Sequence, residues 1–343
     1  MSYVRRIGSE VYELRRSVEF DLSPRDDRPF CHLILTGPNG SGKTVALKSL
    51  YEALVGRRPI NVEFTGPAPN LSPVLFEARR ELSVIPAGGP TTQIAPATAG
   101  QLEQVLVNLR TQQSYAREEG KEAEAQAIGE QLASYERLLQ DMFEQPGMRL
   151  EFSRKQIRYF LRLDGRLVQF QHLPDGFKNV LELWATLWAV LNEVGVSDSL
   201  TAVFIDEVET HLHLSLQEKV LPFLTRTFPQ AQFFVTTHSP AVLASIDGAV
   251  IYDLGRPDEE RLFSDDLRGV RYGTVMTEHF GISSDFDLRT TRDLAELHRL
   301  RKAEQRTPEE TQRMRLLARA LSEHGHALAY QVLYELERAA AKS

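Results

Sequence analysis

The sequence predicts an α/β protein: a mixed, largely parallel sheet, a helical hairpin inserted into it, and helices at the C-terminal end. Three observations carry this. The short apolar runs "HLILTG", "AVFID" and "FFVTT" alternate with helical patterns, as in a parallel sheet covered by helices. Residues 101–143 hold helical stripes with no strand pattern. Beyond Asp253 the pattern is helical again.

Taken in order, residues 3–22 alternate apolar and polar, as in "EVYELRRSVEFDL", which predicts paired antiparallel strands. "PFCHLILTG" follows as a buried strand, and "GKTVALKSLYEALVG" as a helix closed by Gly56. Residues 59–100 are rich in Pro, Gly and Thr, with short strand-like pieces such as "ELSVI", and give no single assignment. In the hairpin, Leu102, Val105, Leu106 and Leu109 form one stripe, and Ile128, Leu132, Tyr135, Leu139 and Met142 another. Between them "AREEGKEAEAQA" is polar or small, so the two helices are expected to turn near Gly120. At ~1.5 Å per residue each arm reaches about 30 Å.

"MRLEFSRKQIRYFLRLDGRLVQF" reads as strands with an Asp164-Gly165 hairpin turn. Phe177 to Val194 is a long apolar helix. "LTAVFID" and "AQFFVTT" are buried strands flanking the helix "SLQEKVLPFLTRTF". Thr307-Pro308-Glu309-Glu310 is a helix start, with Thr as N-cap and Glu310 closing a capping box. The expected division is an N-terminal lobe at 1–98, a hairpin insertion at 99–146, a second lobe at 147–255 and a helical segment at 256–343.

Composition excludes several classes. The chain has 343 residues, 42% of them hydrophobic and 25% charged, with 40 basic against 47 acidic residues and a net charge of −7. That balance does not suit a nucleic-acid coat protein. No run approaches the ~18 apolar residues of a membrane span, and "MSYVRRIGSEVYEL" lacks the apolar core of a signal peptide. One cysteine, Cys31, leaves no pair for an internal disulfide. A cytoplasmic protein without a membrane partner is expected.

Three motifs carry chemistry. "GPNGSGKT", Gly37 to Thr44, fits G-x-x-x-x-G-K-[ST] between a strand and a helix. Its glycines let the backbone fold into a nest of N–H groups, so Asn39, Gly40, Ser41, Gly42, Lys43 and Thr44 are candidate nucleotide-binding residues. Lys43 is placed to reach the β- and γ-phosphates, and the Thr44 hydroxyl to bind Mg²⁺. "AVFIDE" ends a strand in Asp206, a second magnesium candidate, and Glu207, a candidate base for an attacking water. "FFVTTHSP" puts His238 just past another strand, where it can donate to a γ-phosphate. ATP and Mg²⁺ are the implied ligands.

Together, "GPNGSGKT", "FIDEVETHLHLSLQ" and "TTHSP" resemble the ABC-type, AAA-family ATPases of the RecF, SMC and OLD group. More narrowly they resemble the ATP-binding proteins of bacterial anti-phage systems such as Septu. The resemblance covers about residues 1–60 and 147–285. It implies a P-loop NTPase with an ABC-ATPase-like head, which hydrolyses ATP and closes as a homodimer or higher oligomer around it. It also implies a separate effector, such as a nuclease. A reading as a RecF-like ATPase acting directly on DNA is the alternative, and a transporter subunit fits less well.

The same resemblance places a signature motif, read by the opposite subunit's ATP, at "LPDGFK". Asp175, Gly176 and Lys178 are its candidate contacts, and Pro174 stands where the family has serine. Gln93 is a candidate for the family's magnesium-contacting glutamine. His211 and His213 fall in the segment that resembles the family's dimer-contacting loop, so zinc is discounted. Asp285 and Asp287 are read as loop or capping residues.

Overall fold

Strands that are apolar on both faces can pack only between two layers of helices, and that requirement organises this chain. The computed structural model describes residues 2–11, 16–57, 60–78, 102–193, 199–257, 260–279, 288–303 and 307–323. Contacts divide the chain into two units, Met1–Val275 and Met276–Ser343.

In the first unit β1 (Val4–Val11) and β2 (Arg16–Asp21) pair antiparallel, as their alternation predicts. β3 (His32–Thr36) leads into α1 (Lys43–Leu54). Then come β4 (Ile60–Phe64), which joins β1 antiparallel, and the short β5 (Asn70–Leu71) and β6 (Val74–Phe76). Residues 79–101, with "ELSVI" and Gln93, lie outside the described residues.

The insertion is a hairpin of α2 (Leu102–Glu118) and α3 (Glu122–Phe143). α2 ends as a Schellman motif. The N–H of Lys121 donates to the carbonyl of Ala116 at 2.8 Å and that of Gly120, at φ 74°, to Arg117 at 3.1 Å. The hairpin rests on the next helix through aromatic contacts. Tyr135 meets Trp184 edge-on with centroids 4.7 Å apart, and Phe143 lies 4.0 Å from Phe177. A meander of β7 (Arg149–Ser153), β8 (Arg158–Leu163) and β9 (Arg166–Val168) follows, with Asp164 and Gly165 both left-handed at its turn. Arg158 ties it to the hairpin by gripping the buried Glu103 with two hydrogen bonds of 2.8 and 3.1 Å.

α4 (Asp175–Glu193) precedes β10 (Ser199–Ile205), α5 (Leu214–Thr227), β11 (Ala231–Thr236), α6 (Pro240–Leu243), β12 (Ala249–Asp253), β13 (Leu262–Phe263) and α7 (Tyr272–His279). The central sheet runs β13-β12-β3-β11-β10, with β5 and β6 both along the outer edge of β10. All its pairs are parallel except β12 with β13 (Leu262–Phe263). The helical reading after Asp253 missed β13. Two residues are too few to show a period, and the strand exists because β12 offers an open edge. Phe204 and Phe234 stack at 4.6 Å in the middle of the sheet, both fully buried. Each is worth roughly 1.5–3 kcal/mol of apolar burial.

Among the described residues no helix is long and apolar enough to cross a membrane. Cys31 is 1% exposed, and burial pushes its thiol up to about 11. About 0.1% of it is thiolate at pH 8. Iodoacetamide at that pH should therefore leave the native protein unmodified and alkylate the denatured chain fully, as read by intact mass.

In the second unit α8 (Leu288–Lys302) and α9 (Pro308–Glu323) bury Leu297, Leu300, Leu317 and Leu321 against each other. The capping box is present. The N–H of Glu310 donates to Thr307 Oγ1 at 3.2 Å, and that of Thr307 to Glu310 Oε2 at 3.0 Å.

Candidate active site

Four parallel strands end on one edge of the sheet, and their register fixes what meets there. Leu35 of β3 is opposite Thr236 of β11, and Ile205 of β10 is opposite Val235. The residues just beyond, Gly37, Asp206, Thr237 and His238, therefore converge.

The phosphate loop starts with Gly37 at φ 130° and closes with Gly42 at φ 93° as the N-cap of α1. A side chain at Gly37 would place its Cβ 2.9 Å from the Asp253 carboxylate and the Gly255 amide. Only glycine combines that backbone with that closeness. Lys43, 5% exposed, folds its ammonium back over the loop and donates to the carbonyls of Gly37 and Pro38 at 3.0 and 3.1 Å. Burial lowers its pKa, while Glu207, Glu209, Asp206 and Asp253 pull it back up. Ser41 Oγ is buried in the loop without a hydrogen-bond partner among the described residues. Such an orphan in a concave nest of N–H groups fits a phosphate oxygen.

Asp206, 2% exposed, is the centre of the oxygen set. Its Oδ1 accepts from Thr44 Oγ1 at 3.0 Å and from Thr236 Oγ1 at 2.6 Å. Two hydroxyls and a carboxylate are hard oxygen ligands of the kind Mg²⁺ takes. Thr236 holds the neighbours as well. Its Oγ1 accepts the Glu207 N–H at 2.7 Å and its carbonyl the Val208 N–H at 3.2 Å.

Glu207 and His211 sit in the left-handed region, at φ 46° and 64°. Non-glycine residues there cost about 1–3 kcal/mol each, so the 207–211 turn is held by its surroundings. Thr210 Oγ1 donates to Glu207 Oε2 at 3.2 Å. Glu209 Oε1 accepts the main-chain N–H of His238 at 2.5 Å. Burial, then the Lys43 charge, lowers the His238 pKa, so the imidazole is neutral at pH 7.

The structure thus brings Lys43, Thr44, Asp206, Glu207 and His238 to one place. Asp175, Gly176 and Lys178 lie apart from it, at the start of α4. Asp175 and Gly176 border a cavity of about 550 Å³ whose walls include Phe143, His211 and Lys219. Asp175 is exposed and accepts from Lys178 Nζ at 3.1 Å. Gly176 has a reason inside its own chain: a Cβ there would lie 2.9 Å from the His211 carbonyl. Asn179, fully buried one turn on, donates to the Thr210 carbonyl at 2.6 Å. The helix and the 207–213 turn are therefore one packed piece.

Sequence reasoning passed over Thr236, Glu209 and Asn179. A polar residue in an apolar strand, as in "FFVTTH", was the available signal for Thr236. Nothing local marks Glu209 or Asn179, whose partners are 29 and 31 residues away.

Residues 89–244 match the family described as "AAA domain, putative AbiEii toxin, Type IV TA system". The matched stretch holds Asp206, Glu207 and His238 and begins after the phosphate loop. The chain is 41% identical over 85 residues to a Retron Ec83 probable ATPase of Escherichia coli, which is 23% of this chain and 16% of that one. It is 28% identical over 113 residues to a Septu protein PtuA of Bacillus thuringiensis, 31% of this chain and 28% of that one. Less than a third of either relative's length is spanned. A solved Smc head domain with an extended coiled coil, bound to the C-terminal domain of ScpA, derived from Pyrococcus furiosus, is 13% identical. It gives a TM-score of 0.40 over 78% of this chain and 98% of its own. Residues 89–244 are thus similar to an AAA domain, and shorter stretches of the chain to a retron probable ATPase and a Septu protein.

Proposed function

We propose that the chain is an ATP-hydrolysing switch that closes as a dimer around ATP and controls a separate effector, a nuclease, in anti-phage defence. The observation that carries the reading is the cluster at the sheet edge. A phosphate nest with a buried lysine faces a hydroxyl–carboxylate pair, a carboxylate on a strained turn and a neutral histidine. The similarity to the Septu and retron proteins supports the defence setting.

In this reading the loop N–H groups, Ser41 and Lys43 hold the phosphates, and Lys43 gives up its loop carbonyls to do so. Thr44 and Asp206 would hold Mg²⁺, which supplies neutralisation of phosphate charge. Glu207 takes a proton from the attacking water as the water's oxygen bonds to the γ-phosphorus. The bond to ADP breaks, and ADP leaves with the electron pair. Neutral His238 donates a hydrogen bond to the transferred group. The start of α4, with Asp175 and Lys178, meets the nucleotide held by the other copy. In the same reading the described parts of residues 1–98 and 147–255 are the two lobes of one head around the α2–α3 hairpin.

Light scattering tests the closure. A non-hydrolysable ATP analogue with Mg²⁺ should double the mass, and an unchanged mass with bound analogue would sink the dimer. A second reading, direct action on DNA, draws on Arg154, Lys155 and Arg166, all exposed on the β7–β9 meander. ATPase stimulated by DNA with a steep salt slope would favour it.

A further inference from the structure

Glu209 is a poor residue to bury without a purpose. Its Oε2 is shielded from solvent and has no hydrogen-bond partner among the described residues. An unmet carboxylate oxygen costs roughly 1–3 kcal/mol or more. The other oxygen accepts the main-chain N–H of His238 at 2.5 Å, and the carboxyl also meets the Thr237 side chain. That bond crosses from the turn after β10 to the turn after β11. It is the counterpart of Thr236, which reaches the opposite way to hold Asp206, Glu207 and Val208. The segment carrying Glu209 is itself gripped by α4, since Thr210 accepts from Asn179.

We propose that Glu209 is a positioning residue for His238. It ties the main chain of the histidine to the 207–212 turn, so that His238 moves with the piece that also carries Glu207 and rests on α4. The inference rests on the reading of His238 given above. Hydrolysis then depends on Glu209, whereas nucleotide binding, made by the loop at 37–44, does not. Burial raises the carboxyl's pKa, with the nearby Glu207 acting the same way. The bond from the His238 N–H needs only an acceptor oxygen, so an amide of the same shape suffices.

The test is steady-state ATPase of the full chain with ATP binding measured separately. Glu209→Leu should lose about 10–100-fold in kcat, the scale of an approximately 1 Å misplacement, with ATP affinity within about twofold of wild type. Glu209→Asp, which draws the carboxyl back by one methylene, should lose kcat in the same way and stands in should the leucine variant not fold. Glu209→Gln should restore kcat to within about threefold. Combined with His238→Ala, the leucine change should add little further loss, because both remove one function. Wild-type kcat in Glu209→Leu or Glu209→Asp, beside a defective His238→Ala, overturns this inference alone. Fully additive losses overturn it too. Wild-type kcat in His238→Ala removes the reading of His238 and this inference with it.

Discussion

Glu207→Gln is expected to bind ATP normally and turn it over on the order of 10²–10⁴-fold more slowly, the contribution of a well-placed general base. The amide keeps the shape of the side chain and can still accept from Thr210 Oγ1, now 3.2 Å from Glu207 Oε2. It cannot take a proton at neutral pH. The main chain at φ 46° is unaltered, and Thr236 still holds the 207 N–H. The loss should therefore fall on kcat with little change in affinity. A second consequence follows from the proposed dimer: with hydrolysis blocked, ATP alone should hold the closed pair, and gel filtration should show it without an analogue. Single-turnover kinetics check the first part. Wild-type turnover in the purified variant would remove Glu207 from the chemistry.

Lys43→Ala should lose nucleotide binding itself. The ammonium is the charge buried over the loop, and the carbonyls of Gly37 and Pro38 that it now satisfies would be left turned into the site. Mixing this variant with a lesion at the start of α4 tests whether the site is shared between copies. Gly176 is the wrong place for that lesion, because its Cβ would strike the His211 carbonyl of the same chain. A change there damages the 207–213 turn whether or not a second copy exists. Asp175 is better: it is exposed, and its replacement costs about 0.3–1 kcal/mol of helix-dipole interaction. Asp175→Arg alone should bind ATP and hydrolyse poorly. In a two-fold mixed dimer, one composite site carries both lesions and the other neither. Random mixing makes half the dimers mixed, so about a quarter of wild-type activity should return. Near-wild-type ATPase in Asp175→Arg alone would make the start of α4 a helix cap and nothing more.

The elements most legible from sequence were those whose cause is local. The phosphate loop is a contiguous run whose glycines dictate its own backbone. The hairpin declares itself by two apolar stripes and Gly120, and α9 by the capping box at Thr307. Asp206 and His238 could be picked out because each ends a run of apolar residues, and such runs become parallel strands ending on one edge. Tertiary structure decided what has no local signal. Strand order set Thr236 beside Asp206, so a residue that looked like part of an apolar strand became the clamp on three neighbours. Packing of α4 on the 207–213 turn gave Gly176 a steric reason that its place in "LPDGFK" does not reveal. The same packing paired Asn179 with Thr210. Edge pairing made a strand of Leu262 and Phe263, which is too short to show a pattern. The physical reason is common to these cases. Periodicity and turn chemistry act over a few residues, whereas a hydrogen bond between residues 29 to 31 apart exists only once the sheet has fixed both ends.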